Sequence, residues 1–88
     1  MAPAVSKLVI VKFKKAPDAG SLAGGVRAAF EEYLSDVRVE GGVLEGRNEA
    51  GRWFLFEARG DIAALVLGEP DPAAARSRLA AALANASR

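Results

Sequence analysis

The stretch Arg52-Trp-Phe-Leu-Phe-Glu-Ala-Arg59 decides the fold, because it holds three of the six aromatic residues in an alternating pattern that predicts a β-strand. Successive side chains of a strand point to opposite faces of the sheet. Phe54 and Phe56 therefore share one face, which we assign to the core. Trp53 and Leu55 share the other face, and if that face is open they are exposed apolar residues of the kind enriched at protein interfaces. For Trp53, a core position and an interface position both stay open.

Two further segments extend this strand into a sheet. Gly60-Asp61 predicts a tight turn, after which the apolar run 62–67 predicts a strand. Before the central strand, residues 37–47 predict one strand that is interrupted at Gly41-Gly42. The two glycines fit either a bulge within one strand or a turn between two short strands, and we favour the bulge because the flanks are short for a hairpin. Together these segments predict a three-stranded antiparallel meander.

A leading strand and a first helix precede the meander. Residues 7–14 contain a Val-Ile-Val run and predict a strand, and residues 16–20 predict a turn-rich connection. Apolar residues at helical spacing predict a helix over about 21–35. Gly24-Gly25 is unfavourable inside a helix, so either the helix begins later or the glycines let another backbone come close.

A second helix follows the meander. Pro72 suits its first position, Asp71 suits its N-cap, and apolar residues recur at helical spacing around Leu79. The order strand, helix, three strands, helix predicts an α+β domain, built as a two-layer sandwich with a mainly antiparallel sheet and both helices on one face. We assign residues 7–88 to this single domain and residues 1–6 to a flexible leader.

The residue types that are missing exclude the common kinds of active site. The chain contains no cysteine and no histidine, so it has no thiolate nucleophile, no imidazole base and no soft metal ligand. The Gly-rich run 20–25 lacks the Lys-Ser/Thr ending of a phosphate-binding loop. Glu31-Glu32 are neighbours on the predicted helix and do not face each other, so they cannot act as a convergent catalytic pair unless another element contributes. We therefore predict no enzyme activity and no catalytic, cofactor-binding or metal-binding residues.

Charge is unevenly distributed along the chain. The net charge of +1 argues against a dedicated nucleic-acid binder. All four lysines precede the first acid, Asp18, and they predict either a solvated strand end or a basic patch at Lys12, Lys14 and Lys15 that meets an acidic partner. No run reaches the roughly 18 apolar residues of a membrane span, and the first residues lack the pattern of a signal peptide. We expect a cytoplasmic protein.

Four stretches of the second half follow one another in a recognisable order: Val43-Leu-Glu-Gly-Arg47, Gly51-Arg-Trp-Phe-Leu-Phe-Glu-Ala-Arg-Gly60, Asp61-Ile-Ala-Ala-Leu-Val-Leu-Gly-Glu69 and Pro72-Ala-Ala-Ala-Arg-Ser-Arg-Leu79. In element order and apolar positions they resemble the Roadblock (dynein light chain) family. The helical stretch Ser21-Leu-Ala-Gly-Gly-Val-Arg-Ala-Ala-Phe30 is similar to the central helix of that family, which also opens with small residues. The resemblance extends over residues 8–86.

The resemblance implies a non-catalytic module that dimerises through its central helix and the adjacent strand, giving a continuous sheet across two subunits. Several members regulate small Ras-like GTPases or scaffold complexes, so the expected partners are a second copy, a related subunit or a small GTPase. Small residues on the central helix fit a close approach of two helices. The candidate interface residues are Gly24, Gly25, Ala28, Glu31, Val39, Val43, Trp53 and Leu55.

Two other functions stay open. A helix, three strands and a helix is also the order of double-stranded-RNA-binding domains, which this chain resembles over residues 39–83. Those domains carry a lysine cluster at the start of their last helix, where this chain has Pro72-Ala-Ala-Ala-Arg76. The other alternative is a small enzyme or ligand-binding domain built at a subunit interface, which would need a deep pocket holding ionisable groups with shifted pKa values.

Overall fold

The fold is an antiparallel sheet with one helix on each face. The computed structural model describes residues 7–14 and 16–86, with the backbone alone for 16–20. The predicted leader over 1–6 and Lys15 lie outside the described residues. The strands are β1 (Lys7–Lys12), β2 (Ser35–Glu40), β3 (Val43–Arg47), β4 (Trp53–Arg59) and β5 (Ile62–Glu69), and the helices are α1 (Ala16–Tyr33) and α2 (Pro72–Ala86).

The five strands form one sheet in the order β1-β5-β4-β3-β2, and every neighbouring pair is antiparallel. The predicted α+β class and antiparallel sheet are therefore confirmed. The element order is β-α-β-β-β-β-α, with one strand more than we predicted. β1 and β2 are the two edge strands of the sheet, β4 is the central strand, and β5 and β3 lie on either side of it.

The additional strand arises at Gly41-Gly42. The φ angles are 59° at Gly41 and 81° at Gly42, so both residues lie in the left-handed region that a two-residue hairpin turn of type I′ requires. Glycine reaches this region at no steric cost. Our prediction of one strand with a bulge was therefore wrong: β2 and β3 are separate strands that pair with each other, from Glu40 opposite Val43 onward.

α1 begins earlier than the sequence pattern indicated. It starts at Ala16, so the predicted connection over 16–20 is wrong and these residues form its first turns. Proline is tolerated in the first turn of a helix, where its missing N–H would have no partner within the helix, and Pro17 lies there. Gly24 and Gly25 consequently lie inside α1, and the alternative of a later helix start is also wrong.

The start of α2 is as predicted. Pro72 is its first residue, and the carboxylate Oδ1 of Asp71 accepts a hydrogen bond of 3.2 Å from the backbone N–H of Ala73. The backbone carbonyl of Asp71 accepts a second one of 3.0 Å from Ala75. The first bond satisfies an N–H group that has no partner within the helix, and the second is the first backbone bond of the helix itself. The predicted apolar face of α2 is buried through Ala75, Leu79, Ala82 and Leu83.

The helices lie on opposite faces of the sheet, so our prediction of both helices on one face was wrong. Leu79 and Leu83 of α2 pack in one cluster with Leu55 and Val66. Phe30 of α1 packs in a second cluster, with Leu44, Phe56 and Ala63. The physical reason lies in β5, whose residues 62–66 are apolar at every position, so that both of its faces need cover. We refer to these two sides as the α1 face and the α2 face.

Candidate protein-interaction surface

α1 covers its face of the sheet only in part. Among its described side chains, Phe30 alone is fully buried, and Ala23 and Val26 are half-buried. Leu22 and Tyr33, two of the apolar residues within the predicted helix, are exposed. α2 by contrast buries four side chains. The sparse packing of α1 leaves a groove along each of its two sides.

The first groove, which we call the hairpin groove, lies between α1 and the β2–β3 hairpin and has a volume of about 310 Å³. Its base consists of the buried side chains of Leu44 and Phe56. Val39 lines it on the β2 side and is 53% exposed, although it is apolar. Gly24 and Arg27 line it on the α1 side. This groove offers apolar surface to any side chain that enters it.

The second groove, which we call the β1 groove, lies on the other side of α1 and has a volume of about 220 Å³. Val9 and Val11 of β1 form one wall, and Leu22 and Val26 of α1 form the other. The remaining lining residues are apolar as well: Phe56, Ala63, Ala64 and Leu65. Because Val9, Val11 and Leu22 are exposed, the groove opens to solvent with apolar walls.

The outer side of α1 carries small residues, and no other described part of the chain covers it. Gly24, Gly25, Ala28 and Glu31 are all exposed, and a Cβ atom placed on either glycine would meet no heavy atom within 4 Å. Glu31 is held by its neighbour Arg27, whose Nε lies 3.1 Å from Glu31 Oε1. Four of the predicted interface residues, and Val39 beside them, therefore lie together on the α1 face.

The other three predicted interface residues lie on the α2 face. Leu55 is 0% exposed and packs against α2, so its assignment to an interface was wrong: α2 covers the face that we left open. Trp53 and Val43 are half-buried and pack against the same cluster. The guanidinium of Arg47 lies 5.8 Å from the centre of the Trp53 ring, within the range of a cation–π contact.

The predicted basic patch lies at β1. Lys12 and Lys14 are exposed, whereas Lys15 falls outside the described residues. Lys7, at the other end of β1, is exposed as well. The patch therefore extends along the edge strand beside the β1 groove.

Sequence reasoning missed a buried carboxylate on the α2 face. Glu45 is 1% exposed. The Nη2 atom of Arg76, on α2, lies 2.6 Å from Glu45 Oε2, and Nε of Arg38, on β2, donates to Glu45 Oε1. Arg38 and Arg76 also pair with Glu40, at 3.5 Å and 3.3 Å. The available signal was the alternation of β3, which puts Glu45 on the same face as Val43.

The charge state of Glu45 is set by the two arginines. Burial by itself would raise the pKa of Glu45, but the hydrogen bonds and positive charges of Arg38 and Arg76 outweigh it, and the pKa lies below its ordinary value of 4.5. The carboxylate therefore stays ionised near neutral pH, with both oxygens occupied. A general acid or base needs a pKa near the operating pH, so this group is suited to connecting α2 with β2 and β3.

Neither a metal centre nor a membrane helix is found in the described part of the chain. Over residues 7–14 and 16–86, no group of three or more acidic side chains is placed to hold a metal ion. None of the described helices combines the length and the apolar composition that crossing a membrane requires.

No protein-family model, curated protein or solved structure matches this chain. The resemblance to the Roadblock family accordingly stays a prediction.

Proposed function

We propose that this chain is a non-catalytic protein-interaction module that works as a homodimer through the outer side of α1 and the hairpin groove. The observation that carries the proposal is the hairpin groove itself, in which the exposed Val39 and the buried Leu44 and Phe56 border a helix with a small outer surface. Exposed apolar surface that is contiguous and bordered by polar residues marks protein-binding sites.

The outer side of α1 suits contact with another helix. Small residues such as Gly25 and Ala28 let two helix backbones approach closely, because no side chain separates them. A twofold dimer uses the same patch on both subunits. α1 packed against its symmetry mate would then bury the small residues of both copies and cover the hairpin groove, where Val39 is now exposed.

The resemblance to the Roadblock family supports a role beside a small GTPase or within a scaffold complex. That family dimerises through its central helix, which corresponds here to α1. The absence of cysteine and histidine supports a function without catalysis, and the absence of cysteine supports a reducing compartment, so we place the protein in the cytoplasm.

The proposal is tested by the substitution Ala28→Arg and sedimentation equilibrium. We expect the wild-type chain to be a dimer at micromolar concentration and the variant to dissociate at least about tenfold more readily, because a long charged side chain would hold the two helices apart and would have to be desolvated between them. Ala80→Arg is the matched control, since Ala80 is an exposed alanine on α2, and it should leave the dimer intact.

Two results would contradict the proposal. A wild-type chain that sediments as a monomer at tens of micromolar rules out the homodimer. A dimer that survives Ala28→Arg moves the interface away from the outer side of α1.

A further inference from the structure

The two edges of the sheet differ in how they are protected. β2 is irregular: its register against β3 shifts between Ser35 and Arg38, and Asp36 has a φ of 54°. Bulges and charged residues of this kind prevent an edge strand from pairing with another chain. β1 pairs regularly with β5 over all six of its residues, and its centre is apolar. β1 is therefore the edge that can accept a further strand.

The backbone groups that β1 offers can be assigned. The N–H of Phe13, just after β1, donates to the carbonyl of Asp61 at 2.7 Å, and Phe13 and Asp61 continue the register of the β1–β5 pair. In an antiparallel pair of strands, residues that hydrogen-bond to the neighbouring strand alternate with residues whose N–H and C=O groups point away from it. Leu8, Ile10 and Lys12 therefore point their N–H and C=O groups away from β5, toward the open edge.

The side chains beside these groups are apolar and exposed. Val9, Ile10 and Val11 are 42%, 45% and 38% exposed. Val9 and Val11 are opposite Leu65 and Ala63 of β5 and so belong to the α1 face, where they form the wall of the β1 groove. A strand added beside β1 would place alternate side chains next to that groove.

The positive charge of this edge is not neutralised within the described residues. None of the ion pairs among them involves a lysine; all of them use arginine: Arg27, Arg38, Arg47, Arg59, Arg76 and Arg78. Lys7 and Lys12, at the two ends of β1, and Lys14 are exposed. Of the described cations that take part in none of these ion pairs, the three exposed lysines are thus gathered on or just after β1, and Arg52 donates to the backbone carbonyl of Gly68 instead.

We propose that the outer edge of β1 binds an extended segment of a different protein, with an apolar centre and acidic residues at both ends, as a sixth strand of the sheet. Backbone hydrogen bonds would hold the segment, an apolar side chain would enter the β1 groove, and carboxylates would meet Lys7 and Lys12. A second copy of β1 is a poor occupant, because it would bring further lysines to the same edge. The inference rests on the proposed interaction function but uses the opposite side of α1.

The experiment measures fluorescence anisotropy with a labelled peptide that has a Val-Thr-Val-Thr-Val centre and two glutamates at each end. The matched peptide carries lysines in place of the glutamates. We expect the acidic peptide to bind the wild-type chain and the basic one not to bind. Binding should weaken about tenfold between roughly 50 and 500 mM salt, because the contacts at the strand ends are exposed and screened.

Three variants test the mode of binding. Lys7→Glu combined with Lys12→Glu should exchange the preference, so that the basic peptide binds and the acidic one does not. Ile10→Pro removes an N–H from the open edge and should abolish binding. Ile10→Thr keeps that N–H and a β-branched side chain and should retain binding. Circular dichroism establishes that each variant is folded.

The outcomes separate this inference from the homodimer. Equal binding of the acidic peptide to the lysine variant, or wild-type binding by a folded Ile10→Pro variant, overturns it. Binding of duplex RNA or anionic vesicles without peptide binding overturns it as well. Peptide binding by the monomeric Ala28→Arg variant supports it whatever the wild-type oligomeric state. A dimeric wild-type chain that ignores the peptide refutes this inference alone.

Discussion

At the scale of single residues, Glu45 shows how a charge can occupy the interior of so small a domain. α2 packs over β4 and β5. Beside this packing, on β3, the buried position is occupied by the carboxylate of Glu45, which lies between the side chains of Arg38 and Arg76. Arg38 and Arg76 keep much of their own surface in water, so only one charge of the cluster is fully desolvated. The pKa of Arg76 is raised by its hydrogen bonds to Glu45 and Glu40.

Glu45→Gln should lower the free energy of unfolding by about 1–3 kcal/mol, because the charge-assisted hydrogen bonds from the two arginines are weakened. Urea denaturation at pH 7 measures this. The pKa of Glu45 is lower in the folded than in the unfolded chain. The stability that its ionised carboxylate contributes is therefore complete above about pH 4.5 and is lost as the pH falls through the pKa of the folded state. The difference in the free energy of unfolding between wild type and variant should therefore become smaller below about pH 4.5.

Glu31→Gln is the matched control, since Glu31 pairs with one arginine on an exposed helix surface, and both substitutions are measured in the Ala28→Arg background so that self-association does not contribute. It should change stability little. If both substitutions lower the free energy of unfolding equally, or if the difference between wild type and Glu45→Gln grows in acid, the arginine cluster does not hold Glu45 as described.

Gly46→Ala should destabilise the fold by about 1–3 kcal/mol through overpacking. A Cβ atom at Gly46 would lie 2.9 Å from Cδ1 and 3.0 Å from Cβ of Leu34, and 3.3 Å from Cγ2 of Val37. Gly25→Ala should instead stabilise the fold by about 1 kcal/mol, since the site is open and alanine favours the helix. Both are measured by urea denaturation in the Ala28→Arg background, so that self-association does not contribute. The reverse order of stabilities would contradict this account.

At the scale of elements, the two helices are held to different degrees. α2 buries four side chains in the cluster around Leu55, whereas α1 buries Phe30 alone among residues 21–33. Segments with few buried apolar contacts open at a lower free energy than the rest of the fold. α1 is thus the element whose order depends most on what binds to it.

Amide hydrogen exchange should show this difference. In dilute solution, α1 should exchange at least about tenfold faster than α2 and the strands β4 and β5. At higher concentration the exchange of α1 should slow, because the homodimer covers its outer side, while α2 stays unchanged. Mass spectrometry of peptic fragments measures the exchange rates. Equal protection of both helices in a monomer would refute the loose packing of α1.

How far the sequence predicts these elements depends on whether the signal is local. The strand over 52–59 and the start of α2 at Pro72 were correct, because alternation and capping act within a few residues. The turn at Gly41-Gly42 was missed, since paired glycines permit a bulge as well as a hairpin. The placement of the helices was missed because an alternating strand reveals two faces but does not say what covers each of them.

The candidate site was predicted in part for the same reason. Gly24 and Val39 line the hairpin groove, and Gly25 and Ala28 are exposed on the same helix as Gly24; their role as an interface stays a prediction. Leu55 was misplaced, because its burial depends on α2, which lies more than fifteen residues further along the chain. The proposal that β1 accepts a further strand depends on the position of β1 at the edge of the sheet. No local sequence pattern contains the order of the strands.

At the scale of the whole molecule, the two kinds of cation serve different purposes. Arginines hold elements to one another, as Arg76 connects α2 with β2 and β3, and Arg47 connects β3 with Asp36. Arginine suits this task because its planar group forms several directed hydrogen bonds. The lysines of β1 are compact, strongly hydrated charges that stay in water until a partner arrives. The net charge of +1 conceals this division.

The pairing of β1 with β5 also determines when the sheet can be completed during synthesis. Lys12 is opposite Ile62, so β1 leaves the ribosome before β5 and must wait for β5 before it finds its place in the sheet. At translation speeds of roughly 5–20 residues per second, that wait lasts for seconds. Throughout it the Val-Ile-Val segment is unpaired and prone to aggregate, and the lysines around it act as gatekeepers that keep nascent chains apart.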